Sequence, residues 1–148
     1  DIDIHLATDR EKNLAARLMA TSEPWITLGR DEAMCKNICH DPEFFLYMAH
    51  CNNYPAGIIL LDPRGVAGSP YIKSIAVYPE FRGKGIGTKL LSFAESLFRD
   101  RSRHIFICVS SFNQRARKLY EKNGFQVVGE LKDYIIQGAS EILMYKGL

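Results

Sequence analysis

The chain has 148 residues, 47% of them hydrophobic and 24% charged, with 19 Lys and Arg against 17 Asp and Glu. A length of this order supports one domain, whose core can bury roughly two thirds of the unfolded surface without staples. The composition excludes disordered and collagen-like chains, and a net charge of +2 gives no bulk attraction to nucleic acid, so any bound anion must be held locally.

The opening DIDIHLATDR is charged and lacks the long apolar run of a secretory signal, and no stretch approaches the ~20 apolar residues of a membrane span, which predicts a soluble, cytoplasmic protein. Residues 2–7 read as a strand. Residues 9–20 space Leu14, Leu18 and Met19 as a helix does, behind Thr8 or Asp9 as N-cap. A second helix is expected over 30–40, ending before Asp41-Pro42. The apolar runs 44–50 and 55–62, joined at Asn52-Asn53, predict an antiparallel hairpin, Pro63–Pro70 a loop, and 71–78 a strand stopped by Pro79. From Gly85 to Arg99, Ile86, Leu90, Leu91, Ala94, Leu97 and Phe98 recur at three- and four-residue spacing, as in an amphipathic helix. His104–Val109 reads as a buried strand, Asn113–Asn123 as a helix closed by Gly124, and Phe125–Leu131 and Ile142–Tyr145 as two last strands. The alternation of helices with strands and hairpins implies one mixed α/β domain over 1–148.

Four cysteines, Cys35, Cys39, Cys51 and Cys108, are expected to be reduced thiols. Cys35, Cys39 and His40 lack a second ligand pair, so no metal site is expected. His5, His40, His50 and His104 show no partnered spacing and read as structural or surface residues.

The segment FRGKGIGTK, residues 81–89, sits between a strand and the long helix. Gly83, Gly85 and Gly87 let the backbone turn tightly with bare N–H groups, and the helix points its unpaired first-turn donors and positive dipole end the same way. Arg82, Lys84 and Lys89 add local charge, making a phosphate cradle. A nucleoside-triphosphate loop needs Gly-Lys followed directly by Ser or Thr, whereas Lys84 precedes Gly85. The dinucleotide fingerprint needs a glycine three positions after its second glycine, where this chain has Thr88 or Leu90.

The pattern Arg82-x-x-Gly85-x-Gly87, preceded by Ile75-Ala76-Val77-Tyr78-Pro79, resembles the acetyl-CoA pyrophosphate motif of the GNAT superfamily of N-acetyltransferases. A second block, NQRARKLYEKNGF, agrees through Asn113, Ala116, Tyr120 and Gly124-Phe125. The resemblance implies a mixed, mostly antiparallel sheet with helices on both faces and splayed central strands. It implies that Ile75, Ala76 and Val77 pair with the pantetheine arm and that the Val77 N–H polarises the thioester carbonyl. By the same resemblance Arg82, Gly83, Lys84, Gly85, Ile86, Gly87 and Thr88 hold the pyrophosphate, and Asn113 bonds the cofactor arm. Tyr120 lies seven residues after Asn113, so both can face one groove, and its phenol is expected to protonate the departing CoA thiolate.

The amine acceptor is framed, by the resemblance, near Glu23-Pro24-Trp25 and Asp133-Tyr134, making Glu23, Trp25 and Tyr134 candidate acceptor residues. The tail GELKDYIIQGASEILMYK is similar to those of ribosomal-protein or protein N-terminal acetyltransferases. Many relatives use a strand Glu as general base, where this chain carries Tyr71 and Cys108, neither a suitable base. Water relayed to a carboxylate such as Glu23, or solvent itself, stays open. The reading is therefore a metal-free acetyl-CoA-dependent N-acetyltransferase acting on an unidentified amine, with a homodimer left open. The alternative is an acyl-CoA sensor without turnover.

Overall fold

A computed structural model describes residues 1–148. Seven strands form one open sheet: β1 (Ile2–Leu6), β2 (Phe45–Cys51), β3 (Tyr54–Val66), β4 (Ser69–Val77), β5 (His104–Ser110), β6 (Gln126–Lys132) and β7 (Ser140–Gly147). Their spatial order is β1-β2-β3-β4-β5-β7-β6, and only β4 and β5 run parallel. Helices α1 (Asp9–Ala20) and α2 (Glu32–Cys39) cover one face, and α3 (Ile86–Phe98) and α4 (Gln114–Lys122) the other.

The apolar run of β3 is buried on both sides, as expected of a central strand. Ile58 and Leu60 meet Ala15, Met19 and Cys35 below α1 and α2, while Ile59 and Leu61 meet Leu90, Leu91 and Ala94 of α3. The helices begin where their caps dictate. Thr8 resolves the first choice: its Oγ1 accepts the Glu11 N–H at 3.2 Å, and Glu11 Oε1 accepts the Thr8 N–H at 3.0 Å, a capping box. Asp31 Oδ1 accepts the Met34 N–H at 2.9 Å, so α2 opens at Glu32 rather than at residue 30.

The hairpin at Asn52-Asn53 forms as expected, with both residues at positive φ. The loop expected over Pro63–Pro70 does not form. β3 runs on to Val66 and returns through Ala67 and Gly68, at φ of 49° and 84°, directly into β4. The prolines are accommodated because the ladder skips between the Asp62–Tyr71 and Val66–Ser69 pairs. Gly65 permits this fold-back, since a Cβ there would lie 2.4 Å from Tyr71 Cβ. β7 also exceeds its expected limits, starting at Ser140 instead of Ile142.

A second irregularity shapes the site. Leu61 pairs with Ile72 and Leu60 with Ser74, leaving Lys73 as an extra residue in β4. Such a bulge bends its strand and reverses the inside-outside alternation beyond it. Accordingly Ile72 belongs to the α3 side, whereas Ala76, an even number of residues on, packs on the α1 side. β4 and β5 pair only at Tyr71–Phe106 and Ile72–Ile107, and part where the bulge begins.

His5 and His50 are structural residues, as expected, but the fold partners them although their spacing does not. The β1–β2 register sets Asp3 opposite His50, so His5 and His50 meet beside α1 with rings 4.7 Å apart. Glu11 Oε2 lies 2.9 Å from His5 Nε2 and 3.0 Å from His50 Nε2, and Asp3 Oδ2 lies 2.7 Å from His5 Nδ1. The Glu11 hydrogen bond is the main cause holding the His5 pKa above 6.5.

Candidate active site

Between β4 and β5 opens a cleft of about 1480 Å³ that passes from one face of the sheet to the other. Its wall along β4 and the start of α3 is mostly backbone. The Tyr78 N–H donates to the Ala56 carbonyl at 2.9 Å. By the two-residue period of a strand, the amides of Ala76 and Ser74 point the same way, toward β3. Those of Ile75 and Val77 then point to the opposite edge, where β5 has departed. A central strand thus presents an unpaired edge inside the protein.

Following β4, a 3-10 turn at Pro79–Phe81 leads into the glycine segment. Gly83 and Gly85 adopt φ of 75° and 80°, conformations that disfavour any side chain. Gly85 caps α3 with no side-chain hydrogen bond and no acidic residue in the first turn, so the N–H groups of Ile86, Gly87 and Thr88 stay available. Gly87 answers to packing: a Cβ there would lie 2.8 Å from Leu119 of α4. Arg82 reaches this wall, but Lys84 does not line the cleft and holds its ammonium 5.5 Å above the Phe81 ring. The Thr88 hydroxyl accepts from Asn123 Nδ2 at 3.3 Å, joining α3 to α4. Asn113 caps α4 through Oδ1 to the Ala116 N–H at 3.4 Å and lines the cleft.

Tyr120 is buried on the α3–α4 side against Phe125, with ring centroids 6.2 Å apart. Its hydroxyl makes no protein hydrogen bond, and burial pushes its pKa up, so it stays a phenol at neutral pH. Tyr71 and Cys108 stand on the other face, where the strands part, and interact with each other. Desolvation is the largest cause raising both pKa values, which keeps each group neutral.

The carboxylate missing from the sequence reading is Glu141. Opposite Ser110 in the β5–β7 register, it shares the face of Cys108 and Tyr71. It is 7% exposed, lines the cleft, and its Oε2 accepts from Ser110 Oγ at 2.6 Å while Oε1 has no protein partner. Desolvation drives its pKa up from 4.5, opposed by the Ser110 hydrogen bond and the charge of Arg30. A strand predicted to begin at Ile142 leaves it out. The signal available was a Glu directly preceding the apolar run Ile142-Leu143-Met144-Tyr145.

Glu23 lines the cleft, but its carboxylate accepts from the Thr27 N–H at 3.0 Å and Thr27 Oγ1 at 2.7 Å, closing its own turn. Trp25 is both a cleft residue and part of the α1-side core. Tyr134 is 67% exposed and lies outside the cleft, which Ile135 lines instead.

The family model for the acetyltransferase (GNAT) family matches residues 10–125. An N-alpha-acetyltransferase of Saccharolobus solfataricus is 39% identical over 80 residues, 53% of this chain and 48% of that protein. Acetyltransferase ECA0875 of Pectobacterium atrosepticum is 32% identical over 94 residues, 63% of this chain and 64% of that protein. The match therefore spans about half to just under two thirds of these relatives' lengths. A GNAT family acetyltransferase from Elizabethkingia anophelis, solved with acetyl-CoA bound, shares the fold at a TM-score of 0.79 and 22% identity, covering 99% of this chain and 98% of that one. The open seven-stranded sheet with its parted centre is that of this family, and the chain belongs to the GNAT acetyltransferases.

Proposed function

We propose that the protein transfers the acetyl group of acetyl-CoA to a primary amine by direct attack in a ternary complex. One observation carries the reading: a single cleft joins an anion cradle and an unpaired strand edge to a buried carboxylate on the opposite face of the sheet. The donors fit the co-substrate. The first-turn N–H groups of α3, with Arg82, suit a pyrophosphate, and the free edge at Ile75 and Val77 suits the amides of the pantetheine arm. The acetyl-CoA-bound relative and the N-alpha-acetyltransferase name support this assignment.

Acetyl-CoA supplies an activated thioester carbon. The amine arrives at neutral pH as an ammonium and must lose a proton before its lone pair can form the new C–N bond. Glu141 is placed to take that proton: one oxygen is steadied by Ser110, the other is free, and its raised pKa makes it a stronger base than an exposed carboxylate. The Val77 N–H faces the gap and stabilises charge growing on the carbonyl oxygen. As the tetrahedral intermediate collapses and the C–S bond breaks, the nitrogen gives its second proton to solvent, and Tyr120 gives its phenol proton to the CoA thiolate from the α3–α4 side and is reprotonated through the cleft. Base and acid thus act from opposite faces of one sheet. The Cys108 thiol, held neutral, takes no acetyl group.

The test is release of CoA from acetyl-CoA, followed with a thiol reagent, across a panel of primary amines. Amine-dependent release with acetylated product is the expected result. Tight acetyl-CoA binding without release from any amine would instead make the protein a CoA-binding module.

A further inference from the structure

The acceptor half of the cleft holds a half-buried charged group, Arg30, that the transfer reaction does not use. Arg30 follows the turn Ser22–Gly29 and precedes the N-cap of α2, and its own N–H is tied to the Trp25 carbonyl at 2.9 Å. This fixes where its side chain begins. Arg30 lines the cleft, and its guanidinium makes no ion pair and no hydrogen bond with the protein, the neighbouring Glu32 being paired with Arg17 and Lys36. It stands close enough to Glu141 to stabilise that carboxylate's charge, but the two do not form a salt bridge.

The other charged groups beside it differ from Arg30 in their contacts or exposure, Lys73 being exposed to solvent. Glu23 is bound to Thr27, and the Lys73 ammonium lies 5.0 Å above the Phe44 ring. An unpaired cation and a half-satisfied carboxylate therefore share one chamber, with Trp25, Leu28 and Ile38 beside Arg30 as apolar wall.

From this arrangement we infer that the acceptor is a free amino acid with an apolar side chain, its amine directed to Glu141 and its carboxylate held by Arg30. This rests on the acetyl-transfer reading above. The complementarity is specific. A guanidinium presents a planar fork of donors that matches a carboxylate in two hydrogen bonds. A polyamine would set a second ammonium against Arg30, and a peptide N-terminus would offer a neutral amide where the carboxylate belongs. Trp25 and its neighbours give an apolar side chain a dry surface that a hydrophilic one would not use.

The experiment compares L-leucine and L-phenylalanine with their carboxamides, and with spermidine, in the CoA-release assay, using the wild-type chain and Arg30→Gln. For the wild type, kcat/KM for the acids should exceed that for the amides by about 10-fold or more, the value of one charge-assisted pair. Arg30→Gln should lower kcat/KM for the acids by a similar factor, mainly through KM, and change the amides less than about 3-fold. Acetyl-CoA affinity, measured by calorimetry, should be unchanged in the variant, which also verifies its fold. Amides or spermidine equal to or better than the acids would overturn the inference while leaving acetyl transfer intact. An equal loss for acids and amides in Arg30→Gln, with acetyl-CoA binding retained, would overturn it too. Absence of release from every amine would remove the acetyl-transfer reading and this inference with it. Should Arg30→Gln fail to fold, the wild-type acid-to-amide ratio still decides.

Discussion

The two halves of the cleft are built by different means. The half proposed for acetyl-CoA draws mainly on one stretch, Ile75 to Thr88, joined by Asn113 and Tyr120 of the α4 region, and works largely through backbone: an unpaired strand edge, two left-handed glycines and an uncapped helix start. The acceptor half is assembled from side chains far apart in sequence, with Arg30 from the loop before α2, Tyr71 from β4, Cys108 from β5 and Glu141 from β7. Backbone recognition is insensitive to most substitutions but intolerant of conformational change, whereas side-chain recognition can be rewritten one residue at a time. One half can stay fixed while the other is retuned.

Substitutions on either side should separate these modes. The largest effect is expected for Glu141→Gln, which keeps shape and the Ser110 contact but removes the base: kcat should fall about 100- to 1000-fold with acetyl-CoA affinity unchanged, measured by steady-state kinetics and calorimetry. Tyr120→Phe comes next. It should lower kcat by about 100-fold with little change in acetyl-CoA binding, and an unaltered kcat would remove Tyr120 from the reaction. On the backbone side, Gly85→Val forces a β-branched residue into φ of 80° and should weaken acetyl-CoA binding by about 10- to 100-fold; retained affinity would show that the cradle lies elsewhere.

A subtler distinction comes from Ser110→Ala. The Ser110 hydrogen bond lowers the Glu141 pKa against the larger desolvation effect, so its loss should raise that pKa further. Because the base works when deprotonated, the acid limb of the kcat/KM profile should move to higher pH, by no more than about one unit. The smallest effect is outside the cleft. His5 has its pKa raised, first by the Glu11 hydrogen bond, so its contribution is complete below pH 6.5 and fades as pH rises through the folded value. Glu11 is opposed by desolvation, but the Thr8 amide and His5 outweigh it and lower its pKa, so its contribution is present above 4.5 and lost in acid. His5→Ala should therefore lower Tm by about 2 °C near pH 5.5 and by less at pH 8 in thermal melts.

The same division governed what could be read from the chain itself. The cradle was legible because its glycines, basic residues and helix lie together, and the helices were legible through their spacing and caps. Glu141 was not, because nothing local tells a strand residue that Ser110, 31 positions earlier, is its neighbour. The sheet order, with β7 inserted between β5 and β6, creates that contact. The loop expected at Pro63–Pro70 failed for a related reason: proline and glycine read as breakers, but bulges let β3 and β4 absorb them. Lys84 is assigned by its place in the glycine segment and Tyr134 by the acceptor frame that the resemblance implies, whereas both side chains lie outside the cleft.

The extra residue at Lys73 has a consequence for isotope exchange. Amide protons at the centre of a sheet normally trade with solvent only on rare opening, yet the N–H groups of Ile75 and Val77 face the cleft without a strand partner. In the free protein they should take up deuterium rapidly, flanked on β3 by amides that scarcely exchange. Filling the cleft with acetyl-CoA should silence them. Two fast positions inside a slow sheet would therefore be a direct, residue-resolved gauge of occupancy that needs neither an acceptor nor turnover.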